Sequence, residues 1–118
     1  MYALHALVRV TPETRAAFVE AASACVAQTR DEPGCLDYSC TEDISEPGLF
    51  HFVELWQDVD AFNSHTASPH YTAFAATLAD ETRIRRAGRG GATFIEGRVL
   101  SAEDRAELGF GGKPAKRP

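Results

Sequence analysis

The stretch that decides the fold lies between Glu32 and Tyr71. It reads, in chain order, EPGCLDY (residues 32–38), FHFVELW (50–56), DAFNSH (60–65) and SPHY (68–71). It combines two strand patterns, a turn between them and a helical segment that follows at once. The only tryptophan, two of the three tyrosines and three of the four histidines of the chain lie within it. We therefore expect the polar groups of any functional site to come from this stretch.

The two strands are predicted over residues 35–43 and 49–57, with a hairpin loop between them. Alternation in the first strand places three side chains on one face: Leu36, Tyr38 and Cys40. Alternation in the second places four on one face: Phe50, Phe52, Glu54 and Trp56. A carboxylate among three aromatic side chains cannot be buried without compensation. We therefore expect Glu54 to be paired, protonated or close to solvent in a cavity.

Cap signals divide the end of the stretch into helices. Asp58 is a favourable N-cap for a short helix that runs to about His65. Ser68-Pro69 then repeats a cap followed by a proline, which predicts that the helix restarts there. Apolar residues at helical spacing extend this second helix to about residue 82, and they are Tyr71, Phe74, Ala75 and Leu78.

Upstream of the stretch, residues 2–10 alternate as a strand, with His5 at its centre. From its position, His5 faces either Glu54 or a subunit interface. Thr11-Pro12 then signals a helix over residues 12–30. Pro33-Gly34 prevents that helix from continuing.

Downstream, β-branched and aromatic residues predict a fourth strand over residues 92–100, with Gly97 as a bulge. Ser101 and Asp104 predict a short helix over 101–108. Residues 109–118 are rich in Gly, Pro and Lys, which predicts a flexible tail or an arm on a partner subunit. We expect one domain over residues 1–100 and a C-terminal extension over 101–118.

The predicted order is β-α-β-β-α-β, which is typical of the α+β ferredoxin-like fold. In that fold a four-stranded antiparallel sheet carries both helices on one face. The other face would expose apolar residues from the first three strands, and an exposed apolar face of that size usually marks an association surface. We therefore expect a homodimer in which sheet packs against sheet.

Composition limits the classes of partner. The chain has 118 residues and a formal net charge of −5, which argues against nucleic acid or an anionic membrane. No apolar run approaches the roughly 20 residues that span a bilayer, and no signal-peptide pattern is present at the N-terminus. We expect a cytoplasmic protein. The three cysteines form no C-x-x-C pair, which favours buried, reduced thiols; on a regular strand, Cys35 and Cys40 would point to opposite faces.

Several short motifs of the chain together resemble one family. They are EPGCLxY (32–38), FxExWxD (52–58), AFxxH (61–65) and SPHxxxF (68–74). In this order and spacing they resemble the antibiotic biosynthesis monooxygenase domain over residues 1 to about 100. The resemblance implies a dimeric ferredoxin-like fold with a cavity between sheet and helices. Members of the family include oxygenases of aromatic polyketides and quinols that use O2 with neither metal nor flavin.

The resemblance also implies roles for individual residues. His65 matches the typical histidine of the family, and an imidazole can take a phenolic or enolic proton near neutral pH. Together with Asn63 it would deprotonate a small aromatic, quinol-like or polyketide-type substrate. Trp56 would form a flat wall and donate its N–H, so the expected catalytic residues are His65, Trp56 and Asn63. The expected substrate-binding residues are Phe52, Glu54, His70, Tyr71, Phe74 and His5.

Other functions of the family remain as alternatives. Haem degradation is disfavoured because residues 72–77, where those relatives carry an iron-ligating histidine, contain none. A metal site is disfavoured because His65 and His70 have no third ligand near in sequence. Isomerisation of phosphorylated autoinducer-2 would keep His65, His70 and Tyr71, and would need a phosphate site from Arg83, Arg85 and Arg86. A dimeric small-molecule-binding or accessory protein without catalytic activity is the alternative from another class.

Overall fold

The computed structural model describes residues 1–78, 92–96 and 101–108. Its elements in chain order are β1 (Tyr2–Arg9), α1 (Arg15–Thr29), β2 (Cys35–Glu42), β3 (Leu49–Trp56), α2 (Val59–Thr66), α3 (Pro69–Ala75), β4 (Ala92–Glu96) and α4 (Ala102–Glu107). The predicted β-α-β-β-α-β order is confirmed, with the second helix divided into α2 and α3. None of the helices in these segments has the length and apolar character needed to cross a membrane.

The four strands form one antiparallel sheet in the order β2-β3-β1-β4. β1 pairs with β3 along its whole length, from Tyr2 opposite Trp56 to Arg9 opposite Leu49. In this order the strands of the first β-α-β unit, β1 and β2, are separated by β3 of the second unit. The two units are therefore interleaved in the sheet, as in the ferredoxin-like fold. The predicted fold class is therefore confirmed.

The core lies between the helices and the inward face of β3. The alternation predicted for β3 is correct, because Phe50, Phe52, Glu54 and Trp56 are all buried. The ring of Phe18 on α1 packs 4.7 Å from that of Phe50, centroid to centroid. Phe74 on α3 packs 5.7 Å from Phe52, so α1 and α3 cover the same face of the sheet.

The helix starts near the site follow from local hydrogen bonds. Asp58 caps α2, because its Oδ1 accepts a hydrogen bond from the backbone N–H of Ala61 at 2.8 Å. Ser68 caps α3 in the same way, with its Oγ accepting from the N–H of Tyr71 at 3.2 Å. Ser101 and Asp104 form the predicted capping box of α4. All three signals use neighbours within three residues, which explains why the sequence identified them.

Two helix boundaries differ from the prediction. α1 begins at Arg15 and not at Pro12, because the N–H of Thr14 donates to the carbonyl of Thr11 and closes a turn first. α3 ends at Ala75 and not near residue 82. There the N–H of Thr77 donates to the carbonyl of Phe74 at 3.0 Å, and its hydroxyl donates to the same oxygen. Such a side-chain bond competes with continuation of a helix.

A β-bulge changes the faces predicted for β2. The pairing register shifts between Cys35 and Asp37, which leaves Leu36 as the extra residue. Leu36 is 54% exposed although Tyr38 is buried, so the prediction that they share a face is wrong. The shift also turns Cys35 toward the core, on the same face of the sheet as Cys40. The prediction that these two cysteines point to opposite faces is therefore wrong too. Both are partly buried, and Cys25 is fully buried.

The turn at Gly34 holds the start of β2 against α2. Gly34 has a φ of +82°, which favours glycine, and a Cβ placed on it would lie 2.6 Å from the Cβ of Ala61. Its carbonyl also accepts a hydrogen bond from the N–H of Gln57 at 2.8 Å. The loop that precedes β2, which carries Glu32, is thus fixed beside the end of β3 and the first turn of α2.

Several predictions fall outside the described residues. They are the end of the fourth strand over 97–100 with the bulge at Gly97, the arginines at 83, 85 and 86, and the tail over 109–118.

Candidate active site

A cavity of about 150 Å³ lies between the sheet and helices α2 and α3. Most of its lining is apolar, from side chains that include Leu4, Val8, Phe52, Phe62, Phe74 and Leu78. Its polar lining groups come from Tyr38, Glu54, His65, Thr66 and Tyr71. Among the described residues, no lysine or arginine lines it. A space of this size and character suits a small apolar ring with a few polar substituents.

His65 is the polar residue most completely enclosed by this site. It lies in the last turn of α2 and is 1% exposed. Its Nδ1 is 2.7 Å from Oε2 of Glu32. Because a carboxylate only accepts hydrogen bonds, Nδ1 carries the proton and Nε2 keeps a free lone pair. In the described part of the chain, Nε2 is buried and has no hydrogen-bond partner.

Glu32 organises the polar part of the site. Its Oε2 also accepts a hydrogen bond from Nε2 of His70, at 2.9 Å. The side chain of Glu32 is only 13% exposed, so both hydrogen bonds are sheltered from water. The carboxylate therefore selects the tautomer of His65 and holds its ring in one orientation, as a histidine that acts as a base requires.

Burial and the carboxylate have opposite effects on His65. Desolvation is the larger effect and lowers the pKa of His65 below its ordinary value. The hydrogen bond and the charge of Glu32 raise it again in part, and the charge of His70 lowers it. His65 is therefore neutral at pH 7, which is the form that can accept a proton.

Aromatic rings surround His65. The ring of Trp56 lies 4.8 Å from it, centroid to centroid, and so does that of Tyr71. The ring of Tyr38 is 5.2 Å away. These contacts prevent the imidazole from rotating and exclude water from its surroundings, so its orientation depends on packing as well as on Glu32.

Glu54 is a second buried carboxyl group in the same cavity. It is 6% exposed, and its Oε1 accepts a hydrogen bond from Nε1 of Trp56 at 3.0 Å. Burial raises the pKa of Glu54 to about 7, although the hydrogen bond from Trp56 opposes this and the charge of Glu32 adds to it. Of the three expectations for Glu54, that it is paired, protonated or close to solvent in a cavity, the structure confirms the first, because Oε1 has a hydrogen-bond partner in Trp56.

The structure brings five of the nine predicted site residues to the cavity. They are Phe52, Glu54, His65, Tyr71 and Phe74. His70 does not line the cavity and instead forms a hydrogen bond with Glu32. Trp56 lies behind the lining, and its N–H is occupied by Glu54. The interpretation of Trp56 as a wall and N–H donor for substrate is therefore wrong for this arrangement.

Two predicted residues lie away from the cavity. Asn63 is exposed on α2 and does not line it, which separates Asn63 from the chemistry of His65. His5 lies on the opposite face of the sheet, where its ring stacks on His51 with Nε2 2.9 Å from Nδ1. The alternative that His5 faces Glu54 is wrong, because Leu4 and not His5 pairs with Glu54.

Glu32 and Tyr38 are the site residues that sequence reasoning did not assign. Glu32 was visible as part of the EPG motif, but it lies 33 positions from His65. The signal that could have found it is the predicted hairpin, because two antiparallel strands place the start of β2 beside the end of β3, as the pairing of Cys35 with Trp56 now shows. Tyr38 faces the same side as Glu54, its cross-strand neighbour, and alternation already put it on the buried face.

Glu32 also supplies a third group near the two histidines, which the sequence did not reveal. One atom from each of Glu32, His65 and His70 lies within 4.8 Å of the others, close enough for one cation to contact all three. Two histidines and a carboxylate are ligands suited to a transition metal. An ion there would lie on the Nδ1 side of His65. It would be outside the cavity lining, because neither Glu32 nor His70 lines the cavity.

Comparison with known proteins identifies the family. The family model described as antibiotic biosynthesis monooxygenase matches residues 1–77. The match covers more than half of the 118 residues, so this protein belongs to the antibiotic biosynthesis monooxygenase family. The resemblance seen in the sequence motifs is confirmed.

Individual relatives agree with this assignment. YcnE of Bacillus subtilis, which carries a provisional monooxygenase name, is 33% identical over 76 residues, covering 64% of this chain and 80% of YcnE. The uncharacterized protein sll1783 of Synechocystis is 30% identical over 73 residues, which are 62% of this chain but only 50% of that protein. A Deinococcus radiodurans protein, provisionally named an antibiotic biosynthesis monooxygenase, has a crystal structure that matches with a TM-score of 0.72 at 26% identity. That match covers 86% of this chain and 97% of the other.

Proposed function

We propose that this protein is a cofactor-independent monooxygenase that oxidises a small aromatic, quinol-like or polyketide-type substrate with O2. His65 is the general base. The observation that carries the proposal is that Nε2 of His65 is buried and unpartnered among the described residues, that His65 lines an apolar cavity, and that its Nδ1 is held by Glu32. Membership of the antibiotic biosynthesis monooxygenase family supports the reaction class.

The chemistry needs a carbon acid or phenol that reacts with O2 once it has lost a proton. Nε2 of His65 takes that proton, and the electron-rich anion reduces O2 and forms a carbon–oxygen bond. One oxygen atom stays on the substrate and the other leaves as water. A hydroquinone would thus gain one oxygen atom, lose two hydrogen atoms to that water and become a hydroxyquinone, so the substrate itself supplies all the electrons. The apolar lining protects the peroxide intermediate from water.

The same proposal includes a homodimer in the cytoplasm. The sheet face that carries His5, His51 and Val53 is the proposed contact, because the apolar side chain of Val53 is 43% exposed there. Exposed apolar area on a sheet is a common association surface. The three free cysteines fit a reducing compartment.

The test measures O2 consumption with a panel of one-ring and fused-ring hydroquinones, without added metal or flavin. The wild-type protein should consume O2, and labelled O2 should place one labelled oxygen in the product. His65→Gln should lower kcat by about 10² to 10⁴, the usual contribution of a general base.

Two matched variants serve as controls. Asn63→Ala changes an exposed polar residue on the same helix, and Glu20→Gln changes an exposed glutamate on α1. Both should keep wild-type turnover. Turnover that survives His65→Gln but not Asn63→Ala would contradict the assignment of the base. Thermal stabilisation by hydroquinones without O2 consumption would instead support a binding or accessory protein.

A further inference from the structure

The cavity contains a second titratable group that the proposed base does not use. Glu54 projects from the middle of β3 toward the helices, between Phe52 and Trp56 on the buried face. Its cross-strand neighbours are Leu4 on β1 and Tyr38 on β2. Neither neighbour carries a positive charge that could pair with a carboxylate.

Its surroundings favour a neutral carboxyl group. The titratable groups around it are Cys25 on α1, Cys35 and Tyr38 on β2, His65 on α2, Tyr71 on α3 and, as a negative charge, Glu32 in the loop before β2. Among the described residues, the cavity lining includes no lysine or arginine. Burial and the charge of Glu32 both raise the pKa of Glu54, which reaches about 7. A carboxyl group in an apolar site is kept protonated by the same physics in other proteins.

Trp56 links this carboxyl group to the base. Its N–H donates to Oε1 of Glu54 at 3.0 Å, and its ring lies 4.8 Å from that of His65. One buried indole therefore fixes one carboxyl oxygen and supports the imidazole. Both Glu54 and His65 line the same 150 Å³ cavity, so a small substrate in it would contact both groups.

We propose that Glu54 is a catalytic residue, the proton donor that acts on the peroxide after His65 has removed the first proton from the substrate. This inference rests on the proposed function. It limits the substrates in two ways. One end of the molecule must have an acidic O–H or C–H, and the other end must have a ring carbon that O2 attacks and that still bears hydrogen.

The proton balance closes within these two groups. His65 takes the hydroxyl proton, and the anion adds O2 to give a peroxide C(H)–O–O⁻. Glu54 protonates the terminal oxygen, which yields a hydroperoxide and a carboxylate. That carboxylate then takes the hydrogen from the same carbon, the C–H electrons form C=O, and the O–O bond breaks. The leaving hydroxide takes the proton held by His65 and departs as water, so both residues return to their starting states.

Glu54→Gln separates this role from that of His65. Glutamine has nearly the same volume and keeps an oxygen for the N–H of Trp56, but it cannot deliver a proton. When substrate and protein are mixed without O2, the absorbance of the substrate anion should appear with Glu54→Gln as with wild type. It should not appear with His65→Gln.

When O2 is admitted, Glu54→Gln should divert the reaction. The peroxide should decompose to quinone and hydrogen peroxide, so that the yield of oxygenated product per O2 falls by about 10². Glu54→Asp, which keeps the acid, should restore part of that yield, and Glu20→Gln on the exposed side of α1 should not change it. In wild type, the yield of oxygenated product should decrease above pH 7, and this decrease should be absent in Glu54→Gln. Oxygenated product and hydrogen peroxide in the wild-type ratio from Glu54→Gln would overturn the inference.

An infrared measurement keeps the inference testable if no hydroquinone is turned over. That result would refute the proposed function, and the infrared spectrum would then show directly whether Glu54 is protonated. The difference spectrum of wild type and Glu54→Gln should contain the C=O stretch of a protonated carboxyl group at pH 6, and this band should disappear above pH 8. A carboxylate band at pH 6 would show that Glu54 has no proton to give.

Discussion

Ionisation of Glu54 should make the folded protein less stable as pH rises. In the unfolded chain its pKa is the ordinary 4.5, and in the folded state burial raises it to about 7. Between these values the folded state holds a proton that the unfolded state has lost. The stabilising contribution of this group is therefore complete below pH 4.5 and is lost as pH rises through 7.

The size of the effect follows from the shift. A rise in pKa from 4.5 to about 7 is 2.5 pH units. At about 1.4 kcal/mol for each unit, this corresponds to roughly 3 to 4 kcal/mol. Because the side chain is 6% exposed, solvent screening reduces this figure little. Glu54→Gln has no charge to bury, so relative to wild type it should gain roughly 3 to 4 kcal/mol of unfolding free energy between pH 4.5 and pH 8.

Urea unfolding of wild type and Glu54→Gln at pH 4.5, 6, 7 and 8 measures this difference. Titrating groups that do not interact with Glu54 occur in both proteins and cancel in the comparison. Glu20→Gln is the control, because it makes the same substitution at an exposed position on α1. If the unfolding free energies of wild type and Glu54→Gln run parallel from pH 4.5 to 8, then Glu54 is ionised in the folded state and the reasoning is refuted.

Further predictions concern the supports of the site. Glu32→Gln removes the charge that raises the pKa of His65, so NMR titration should find that pKa lower still, and kcat/KM at neutral pH should fall. A His65 pKa that rose would contradict this. Gly34→Ala should cost about 1–3 kcal/mol in urea unfolding, because φ is +82° and the new Cβ would meet Ala61; an unchanged midpoint would mean that the turn relaxes freely. Val53→Lys on the exposed sheet face should shift sedimentation from dimer toward monomer, whereas a dimer that persists at micromolar concentration would place the contact elsewhere. Dialysis against a chelator should leave the thermal midpoint unchanged, because Glu32 accepts a hydrogen bond from each of the two histidines; a lower midpoint restored by Zn²⁺ would indicate a bound metal.

Much of the site could be predicted because its signals are local. Asp58 and Ser68 each cap a helix through an N–H three residues further on, so the sequence alone located α2 and α3. The alternation of β3 placed Glu54 on the buried face, since strand residues alternate whatever their partners are. A charged Glu54 was also expected to be unfavourable there, because an apolar surrounding penalises a charge in any fold.

Other features depend on partners far apart in the chain. The bulge at Leu36 arises from the register between two strands, and no pattern within β2 alone reveals it. It reversed the expected orientation of Cys35. Asn63 and His65 are two positions apart on one helix, and only the packing of α2 determined which of them faces the cavity.

The sequence by itself determined the order of the elements, the inward face of β3 and the presence of an imidazole near the end of α2. Those properties depend on backbone geometry and on neighbours within a few residues. The tertiary structure alone decided that Glu32 bonds Nδ1 of His65 and leaves Nε2 free. The physical reason is that a proton can be directed, and a pKa shifted, only by groups within a few ångströms, and folding brings these groups together from 33 positions apart.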